Sequence, residues 1–266
     1  MEKIDKGQVN TSAAEVYEEF FVPALFADWS PQMATLANVQ SGQNVLDVAC
    51  GTGILARTLA ERVGNTGSVI GLDINEGMLA VARRKAPHID WKQGTVDALP
   101  FDDASFDAVL CQFALMFFED RQRAIREMLR VLKSGGHLAV AVWDSLENTP
   151  GYLAMVDLLK KLFGEETANK LRAPYILGDE NQLQQIFDVE GIADIHIKSY
   201  AGVARFPSIE SWMFTDIKGW VLADVLDDEQ YETLLNAAKE SMKSFVIADG
   251  SVAFSAPAYM ISARKA

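Results

Sequence analysis

The chain has 266 residues, 49% of them hydrophobic, and its 24 basic and 37 acidic residues give a formal charge of −13. This length and apolar content suit one large α/β domain with insertions or two small domains, and they argue against disorder. The negative charge disfavours nucleic acid and anionic membrane surfaces as partners. No apolar run approaches the roughly 20 residues of a bilayer span, and no apolar signal region follows the charged start at 1–6. We therefore expect a cytoplasmic protein without stable membrane insertion.

The first half of the chain alternates predicted strands with predicted helices. It begins with a helix over 13–21 that ends at Val22-Pro23, and a second helix over Gln32–Val39. The predicted strands are Asn44–Ala49, Ser68–Asp73, Asp90–Gln93, Phe106–Cys111 and His137–Trp143. The predicted helices between them are Ile54–Val63, Glu76–Lys85 and Arg121–Leu132. This alternation predicts right-handed βαβ units and a mostly parallel sheet.

The second half of the chain departs from this alternation. In chain order its predicted elements are a helix at Tyr152–Phe163, a turn at 172–174, a helix at Asn181–Asp188, a strand at Ile192–Tyr200, a helix at Asp228–Ile247 and an edge strand at Ser251–Ala263. The two helical interruptions, 150–178 and 207–248, are expected to cover the carboxyl edge of the sheet as a lid.

A glycine-rich turn follows the first strand of this alternation. The run from Val45 to Gly53 joins a short apolar segment to Gly51 and Gly53, where a Cβ would forbid the backbone angles or collide with a ligand. Asp73 ends the second strand, where an acidic residue is placed to accept hydrogen bonds from both ribose hydroxyls of an adenosine ligand. The alternative is that Asp73 caps the helix beginning near Glu76.

Four ordered segments resemble the class I S-adenosylmethionine (SAM)-dependent methyltransferases. The run 45–53 resembles motif I, 93–107 resembles the family's "GDA..LPF…FD" passage, 108–118 resembles motif IV with its loop, and 126–138 matches the helix-and-glycine entry into the fifth strand. The resemblance covers the first half of the chain well and the second half in outline. It is closest to the small-molecule branch, which includes the quinone-biosynthesis C-methyltransferases.

The resemblance implies a doubly wound α/β fold. Its sheet is expected to be mostly parallel and seven-stranded, with a reversed C-terminal edge strand and helical lid insertions. It also implies one domain over 1–266, with a helical cap at 1–40, a cofactor-binding core at 41–145 and the two lid insertions over the substrate site.

The same resemblance implies residues that bind SAM. They come from motif I, the end of the second strand, the turn after the third strand and the end of the fourth: Asp47, Ala49, Gly51, Thr52, Gly53, Asp73, Ile74, Met78, Thr95, Val96, Asp97 and Gln112. In this pattern Asp47 holds the cationic end of the cofactor, directly or through water, and Ile74 and Met78 contact the adenine. The family usually has Asp where this chain has Thr95, so either Thr95 or Asp97 is expected to accept the hydrogen bond from the adenine amino group. Gln112 faces the methionine portion or is an ordinary loop amide.

Aromatic side chains suggest two further roles. Tyr17 and Trp29 in the cap are candidates for cation–π contact with the sulfonium, or for packing of the cap helix. The lid aromatics and methionines predict an apolar acceptor pocket, or they pack the lid helices together: Trp143, Tyr152, Met155, Phe163, Tyr175, Phe206, Trp212, Met213, Phe214 and Trp220.

No catalytic residue stands out. The three histidines, His88, His137 and His196, are more typical of structural positions, and no metal-ligand spacing is present. Cys50 and Cys111 fit buried thiols better than reactive ones. We predict a SAM-dependent methyltransferase acting on a small, hydrophobic acceptor by in-line displacement, and a homodimer is compatible with the sequence. The alternatives are a nucleotide-dependent oxidoreductase and a non-catalytic SAM-binding regulatory protein.

Overall fold

The computed structural model of the chain describes residues 11–219, 222 and 225–266. Within them the strands are β1 (Asn44–Val48), β2 (Ser68–Asp73), β3 (Asp90–Gln93), β4 (Phe106–Gln112), β5 (Leu132–Trp143), β6 (Ile192–Tyr200), β7 (Val203–Phe206), β8 (Val252–Ser255) and β9 (Ala258–Lys265). The α-helices are α1 (Thr11–Val16), α2 (Ser30–Leu36), α3 (Ile54–Val63), α4 (Glu76–Lys85), α5 (Arg121–Val131), α6 (Pro150–Phe163), α7 (Glu165–Arg172), α8 (Glu180–Ile186), α9 (Ile209–Lys218) and α10 (Asp228–Ser241).

The main sheet has seven strands in the order β3-β2-β1-β4-β5-β9-β6. Neighbouring strands pair in parallel except β9, which is antiparallel to both β5 and β6. The predicted mostly parallel, seven-stranded sheet with a reversed C-terminal strand is confirmed. The reversed strand lies one place inside the sheet, and β6 forms the edge itself.

The central strands are buried on both faces. In β1, Val45, Leu46 and Val48 are fully buried, and β4 contributes a continuous buried run from Ala108 to Cys111. Continuous apolar runs of this kind are typical of parallel strands covered by helices on both sides. Because β1, β2 and β4 are parallel neighbours, their carboxyl ends meet at one edge, with β1 and β4 adjacent at the point where strand order reverses.

The helix at the amino end does not stop where the sequence predicts. Instead of ending at Val22-Pro23, it continues from α1 as a π-helix over Tyr17–Phe26, with Pro23 inside it. Proline lacks an amide N–H, and in an α-helix its ring clashes with the carbonyl four residues earlier. The wider π turn, with hydrogen bonds to the fifth residue back, accommodates that ring. The prediction of a break at Pro23 is therefore wrong.

Boundaries of five other predicted helices also shift. The helix predicted to end at Leu132 is α5, which ends at Val131, and the helix predicted from Tyr152 is α6, which begins at Pro150. The predicted helix at Gln32–Val39 is α2, which begins at Ser30 with Pro31 in its first turn and ends at Leu36. The helix predicted to run to Ile247 is α10, which ends at Ser241 and is followed by a short 3₁₀ turn. The predicted helix at Asn181–Asp188 is α8. Helix α7 has no counterpart in the sequence prediction.

The predicted single strand at Ser251–Ala263 is two strands. Its first part, β8, pairs with β7 in a separate two-stranded sheet, and its second part, β9, enters the main sheet. Pro257 lies between them and cannot donate a ladder hydrogen bond. Its carbonyl accepts instead from the Asp144 amide at 3.1 Å, at the end of β5.

Four of the lid aromatics, Tyr152, Tyr175, Phe206 and Trp212, pack in one cluster, whereas Trp143 and Phe214 contact other parts of the molecule. Trp212 lies 4.8 Å from Phe254 and stacks on Phe206 at 5.8 Å, while Trp143 stacks on Phe113 at 3.8 Å. Trp220, another predicted pocket residue, lies outside the described residues. Among the described helices, none combines the length and the apolar character that a membrane crossing requires.

Candidate functional site

A cleft opens at the carboxyl ends of β1, β2 and β4. Residues from four successive turns line it: Val48, Ala49, Gly51, Leu72, Asp73, Ile74, Asn75, Met78, Gly94, Thr95, Val96, Asp97, Ala114, Phe117, Phe118 and Glu119. The structure therefore brings together the predicted residues of motif I, of the β2 end and of the turn after β3. Asp47, Thr52, Gly53, Gln112, Tyr17 and Trp29 do not line this cleft.

The glycine turn takes backbone angles that explain its composition. Gly51 has φ +55° and Gly53 has φ +86°, in the left-handed region that favours glycine. A Cβ added at Gly51 would meet no atom within 4 Å, so the space above that residue is open. A Cβ at Gly53 would lie 2.3 Å from the Trp91 ring. The first glycine leaves room for a ligand, and the second leaves room for the core.

Asp73 connects the end of β2 to the glycine turn. Its Oδ2 accepts a hydrogen bond of 2.8 Å from the Gly51 amide, and its Oδ1 accepts one of 2.8 Å from the Asn75 amide. Burial raises the pKa of Asp73, and the amides of Asn75 and Gly51 partly offset this rise. The side chain that caps α4 is Asn75, which accepts from the Met78 amide at 3.1 Å. The alternative in which Asp73 caps α4 is wrong.

Asp73 keeps further acceptor capacity beside the cleft. Each carboxylate oxygen can accept more than one hydrogen bond, and the backbone amides of Gly51, Asn75 and Ile74 supply three donors to the two oxygens. Two apolar side chains continue the same wall. Ile74 is 48% exposed, which is unusual for a large apolar residue, and Met78 is buried behind it. A carboxylate next to an exposed aliphatic surface suits a ligand that has a sugar and a flat ring.

Two buried polar atoms near the glycine turn find no hydrogen-bond partner in the part of the chain that the structure describes. These are Oδ2 of Asp47 and the hydroxyl oxygen of Thr52, and both residues are 1% exposed. Burial raises the pKa of Asp47 well above its usual range, against the opposing effects of the Ala56 amide and the Arg57 guanidinium. Unsatisfied buried polar atoms are rare, and each one calls for a partner. A ligand that brings a charged amino group to this place would supply it.

An ion pair that the sequence did not indicate ties the cap to the glycine turn. Arg57 on α3 contacts Glu18 of the cap at 2.9 Å and donates to the Thr52 carbonyl at 2.7 Å. Oε2 of Glu18 is buried and has no hydrogen-bond partner. A charged residue in a predicted helix usually lies on a solvent-exposed face. The sequence around Glu18 or around Arg57 therefore does not reveal that the two form an ion pair.

The two cap aromatics occupy different surroundings. Tyr17 stacks on Phe26 at 5.2 Å and packs against Met78, which lines the cleft. Burial and the nearby carboxylates of Asp73, Glu18 and Asp47 raise the pKa of Tyr17. Trp29 is 3% exposed and meets Phe113 edge-on at 5.7 Å. Tyr17 thus lies beside the cleft, whereas the packing interpretation describes the surroundings of Trp29.

The turn after β3 holds Thr95 and Asp97 in contact. The Thr95 hydroxyl donates to Oδ2 of Asp97 at 3.2 Å and accepts from the Asp97 amide at 3.3 Å. Val96 between them is buried and also lines the cleft. A carboxylate therefore lies two residues after position 95, in contact with the Thr95 hydroxyl.

Gln112 at the end of β4 binds the cap. Its amide oxygen accepts from the Ser30 hydroxyl at 3.2 Å, and its amide nitrogen donates to the Phe26 carbonyl at 3.3 Å. Its side chain therefore joins the sheet to the cap, and the structure does not place it in the cleft.

Neither the cysteines nor the histidines provide chemistry in the cleft. Cys50 and Cys111 are buried, and burial raises the pKa of both thiols. Of the three histidines, His137 lies in β5 and His196 in β6, and none of the three lines the cleft.

Comparisons with known proteins define the class. A family model described as a methyltransferase domain matches residues 46–140. The ubiquinone/menaquinone biosynthesis C-methyltransferase UbiE of Xanthomonas oryzae pv. oryzae is 42% identical over 143 residues, 50% of this chain and 56% of that protein. The demethylmenaquinone methyltransferase of Shouchella clausii is 34% identical over 190 residues, 65% of this chain and 80% of that protein. The chain belongs to the class I SAM-dependent methyltransferases of the quinone-biosynthesis C-methyltransferase type.

A solved structure with the same fold holds this cofactor. Phosphoethanolamine N-methyltransferase 2 of Haemonchus contortus, in complex with SAM, has a TM-score of 0.63 at 18% identity, covering 96% of this chain and 57% of that one. At this identity the likeness concerns the fold alone. The match to the Xanthomonas relative spans only 56% of its length. The predicted family and its cofactor are confirmed, and the oxidoreductase alternative has no support among these relatives.

Proposed function

We propose that the protein transfers the methyl group of SAM to a carbon atom of a hydrophobic, quinone-type small molecule. The observation that carries this proposal is the Asp73 carboxylate, fixed by the Gly51 amide at 2.8 Å, beside the unpartnered oxygens of Asp47 and Thr52. These groups match the hydroxyl and amino donors of an adenosyl amino acid. The two relatives above are named for C-methylation in quinone biosynthesis and for methylation of demethylmenaquinone, which supports this acceptor class.

In this proposal, different parts of the cofactor are bound by different residues in and around the cleft. Asp73 accepts from the ribose hydroxyls, and Ile74 and Met78 contact the adenine. Asp47 and Thr52 do not line the cleft itself, and they hold the amino end of the methionine portion directly or through water, with Tyr17 beside the cleft. Ala49 and Gly51 line the cleft where the backbone approaches the cofactor, and Gly53 supports that turn by leaving room for Trp91 in the core. Gln112 and Trp29 do not touch the cofactor, and they contribute to the site by holding the cap against the sheet.

The chemistry requires alignment more than it requires reactive side chains. When bound, SAM supplies an electrophilic methyl group: the acceptor carbon bonds to it as the carbon–sulfur bond breaks, the electron pair stays on sulfur, and the proton lost from the acceptor carbon passes to solvent. The chain contributes a fixed cofactor, an orienting pocket and exclusion of water. No metal is needed for this reaction.

We extend the proposal to the organisation of the chain as a single domain with a cap in 1–40, a cofactor-binding core in 41–145 and a lid over the acceptor in 150–178 and 207–248. Residues 1–10, 220, 221, 223 and 224 of these ranges lie outside the described residues. The formal charge of −13 supports a small-molecule acceptor over a nucleic acid. A cytoplasmic location and a homodimer stay predictions of the sequence.

The deciding experiment combines calorimetry with product analysis. Purified protein is titrated with SAM, S-adenosylhomocysteine and NADH, and then incubated with SAM and a panel of prenylated and unprenylated quinols, amines and sugars. We expect heat with the first two ligands only, and S-adenosylhomocysteine formation with hydroxylated aromatic acceptors. Methylation of amines or sugars alone would reject the acceptor class. Tight SAM binding without transfer to any acceptor would favour the non-catalytic alternative.

The adenine contact gives a separate prediction. Asp97 carries the carboxylate that Thr95 orients, so Asp97→Ala is expected to weaken S-adenosylhomocysteine binding by about tenfold, and Thr95→Val by a few-fold. The measurement compares S-adenosylhomocysteine with its inosine analogue, in which an oxygen replaces the adenine amino group. The wild type should prefer the adenine form, and Asp97→Ala should lose that preference. The exposed Asp102→Asn variant is the control, and an unchanged preference in Asp97→Ala would remove Asp97 from the adenine site.

A further inference from the structure

A buried carboxylate lies in the lid, away from the cofactor cleft. Asp216 on α9 is 1% exposed, and its Oδ1 accepts a hydrogen bond of 3.2 Å from the Tyr152 hydroxyl on α6. Its Oδ2 is buried and meets the criteria for a hydrogen bond with no atom of residues 11–219, 222 and 225–266. A buried carboxylate with an unsatisfied oxygen costs folding free energy, so it calls for an explanation outside the packing of the lid.

The surroundings of Asp216 are aromatic. Tyr152 packs 5.7 Å from Tyr175, 6.2 Å from Trp212 and 5.4 Å from Phe254. Trp212 lies one helical turn before Asp216 on α9. Its indole N–H lowers the pKa of Asp216, because it favours the charged carboxylate. The geometry of the two groups nevertheless falls outside that of a hydrogen bond. Flat apolar walls with one unsatisfied polar end are characteristic of pockets for small aromatic ligands.

This cluster adjoins the proposed methyl-transfer region. The turn at 173–175, which carries Tyr175, packs against the turn at 115–117, and Phe117 of that turn lines the cofactor cleft. On the other side, α9 packs against the cap, where Phe214 meets Phe20 edge-on at 5.5 Å. Asp216 therefore lies between α9 and α6, and the aromatic cluster around it contacts the turn after β4 on one side, while α9 contacts the cap on the other.

We propose that Asp216, oriented by Tyr152, is the polar end of the acceptor pocket and that its Oδ2 accepts a hydrogen bond from a hydroxyl group of an aromatic acceptor. This inference rests on the proposed function and specifies how the acceptor is recognised. Burial raises the pKa of Asp216 and the Tyr152 and Trp212 side chains oppose this rise, so a further donor at Oδ2 would favour the carboxylate form in the same way. Such a bond increases electron density on the ring carbons next to the hydroxyl, the positions at which carbon methylation would occur.

The test uses two probes that differ in one donor. Binding of 2-naphthol and of 2-methoxynaphthalene to the full chain saturated with S-adenosylhomocysteine is measured by calorimetry. The wild type is expected to bind the naphthol about tenfold or more tightly than the ether, the order of a hydrogen bond to a charged group. Asp216→Asn and Asp216→Leu should lose this preference, with ether binding and S-adenosylhomocysteine affinity unchanged. Asp157→Asn, which alters an exposed carboxylate on α6, should behave as the wild type.

A second measurement separates recognition from structure. If Asp216 serves the acceptor, Asp216→Asn should melt at the wild-type temperature or above it, because it removes a buried charge and keeps an oxygen that accepts from the Tyr152 hydroxyl. Asp216→Leu leaves that hydroxyl unpaired and should melt lower. A loss of several degrees in Asp216→Asn would assign the carboxylate to lid stability and overturn the proposal. Failure of the wild type to bind either probe, or to distinguish them, would also overturn it. Binding of S-adenosylhomocysteine is measured independently. Its absence would reject the proposed function itself, whereas its presence without a preference for the naphthol would reject only the role of Asp216.

Discussion

Replacing Asp73 with asparagine is expected to weaken binding of SAM and S-adenosylhomocysteine by about 100-fold, the size expected for two hydrogen bonds to a charged group. The carboxylate accepts at 2.8 Å from the Gly51 amide through one oxygen and from the Asn75 amide through the other. An asparagine side chain has a single oxygen, so its NH₂ group must face one of these donors. The substitution removes the charge, one ribose acceptor and the alignment of the glycine turn together. Calorimetric titration measures the loss.

The matched control for this variant is Asp90→Asn, at the exposed start of β3, where the aspartate contacts Lys92 at 3.9 Å. It removes the same charge from the neighbouring strand, so any general electrostatic effect appears in both variants. Melting without ligand separates binding from folding, because the loss of a buried charge offsets the weakened amide contact. An Asp73→Asn protein with wild-type affinity would contradict the ribose assignment and the division of the cofactor built on it.

Local pattern predicts the core of this fold well. The strands β2, β3 and β6 begin and end where the sequence predicts, as do α3 and α4. Their apolar runs and amphipathic spacing are decided within a few residues, since buried parallel strands and helices carry strong periodic signals. The apolar run of β2 also determines where that strand ends, and for this reason the sequence predicts the position of Asp73 beside the glycine turn.

Contacts between distant segments were not predictable from local pattern. The Arg57–Glu18 pair joins α3 to the cap, and Asp216 meets Tyr152 from another helix. Each of these residues alone suits an ordinary helix position, so only the tertiary fold reveals what it faces. The split of the last segment into β8 and β9 belongs to the same class, because β7 supplies the partner of β8.

The π-helix through Pro23 shows a different limit. A proline in a helical pattern is a sound signal for a break, because an α-helix loses a hydrogen bond and gains a clash there. Here the cap stays helical through buried residues on both sides of the proline, including Phe21, Leu25 and Phe26. Burial of such side chains contributes about 1.5–3 kcal/mol each, which exceeds the cost of a widened turn.

Substituting alanine for Gly53 is expected to lower the free energy of unfolding by about 2–4 kcal/mol, the sum of left-handed backbone strain and overpacking. Gly53 has φ +86°, and an added Cβ would lie 2.3 Å from the Trp91 ring. That ring cannot easily retreat, because its indole nitrogen donates to the Ala86 carbonyl at 2.9 Å. Gly51→Ala is the comparison: its added Cβ meets no atom within 4 Å, so it should cost about 1 kcal/mol in strain.

A double-mutant cycle with Trp91→Phe tests the cause of this loss. Phenylalanine lacks the distal ring atoms that the new Cβ would meet, so Gly53→Ala should cost about 1 kcal/mol in that background, the strain alone. Urea unfolding of the four proteins gives the coupling free energy, and an equal cost in both backgrounds would exclude the clash. SAM affinity should be reduced more by Gly51→Ala than by Gly53→Ala, because the first added methyl group enters the cleft and the second enters the core. The two glycines, separated by one residue, are thus expected to fail in different ways, one in binding and the other in folding.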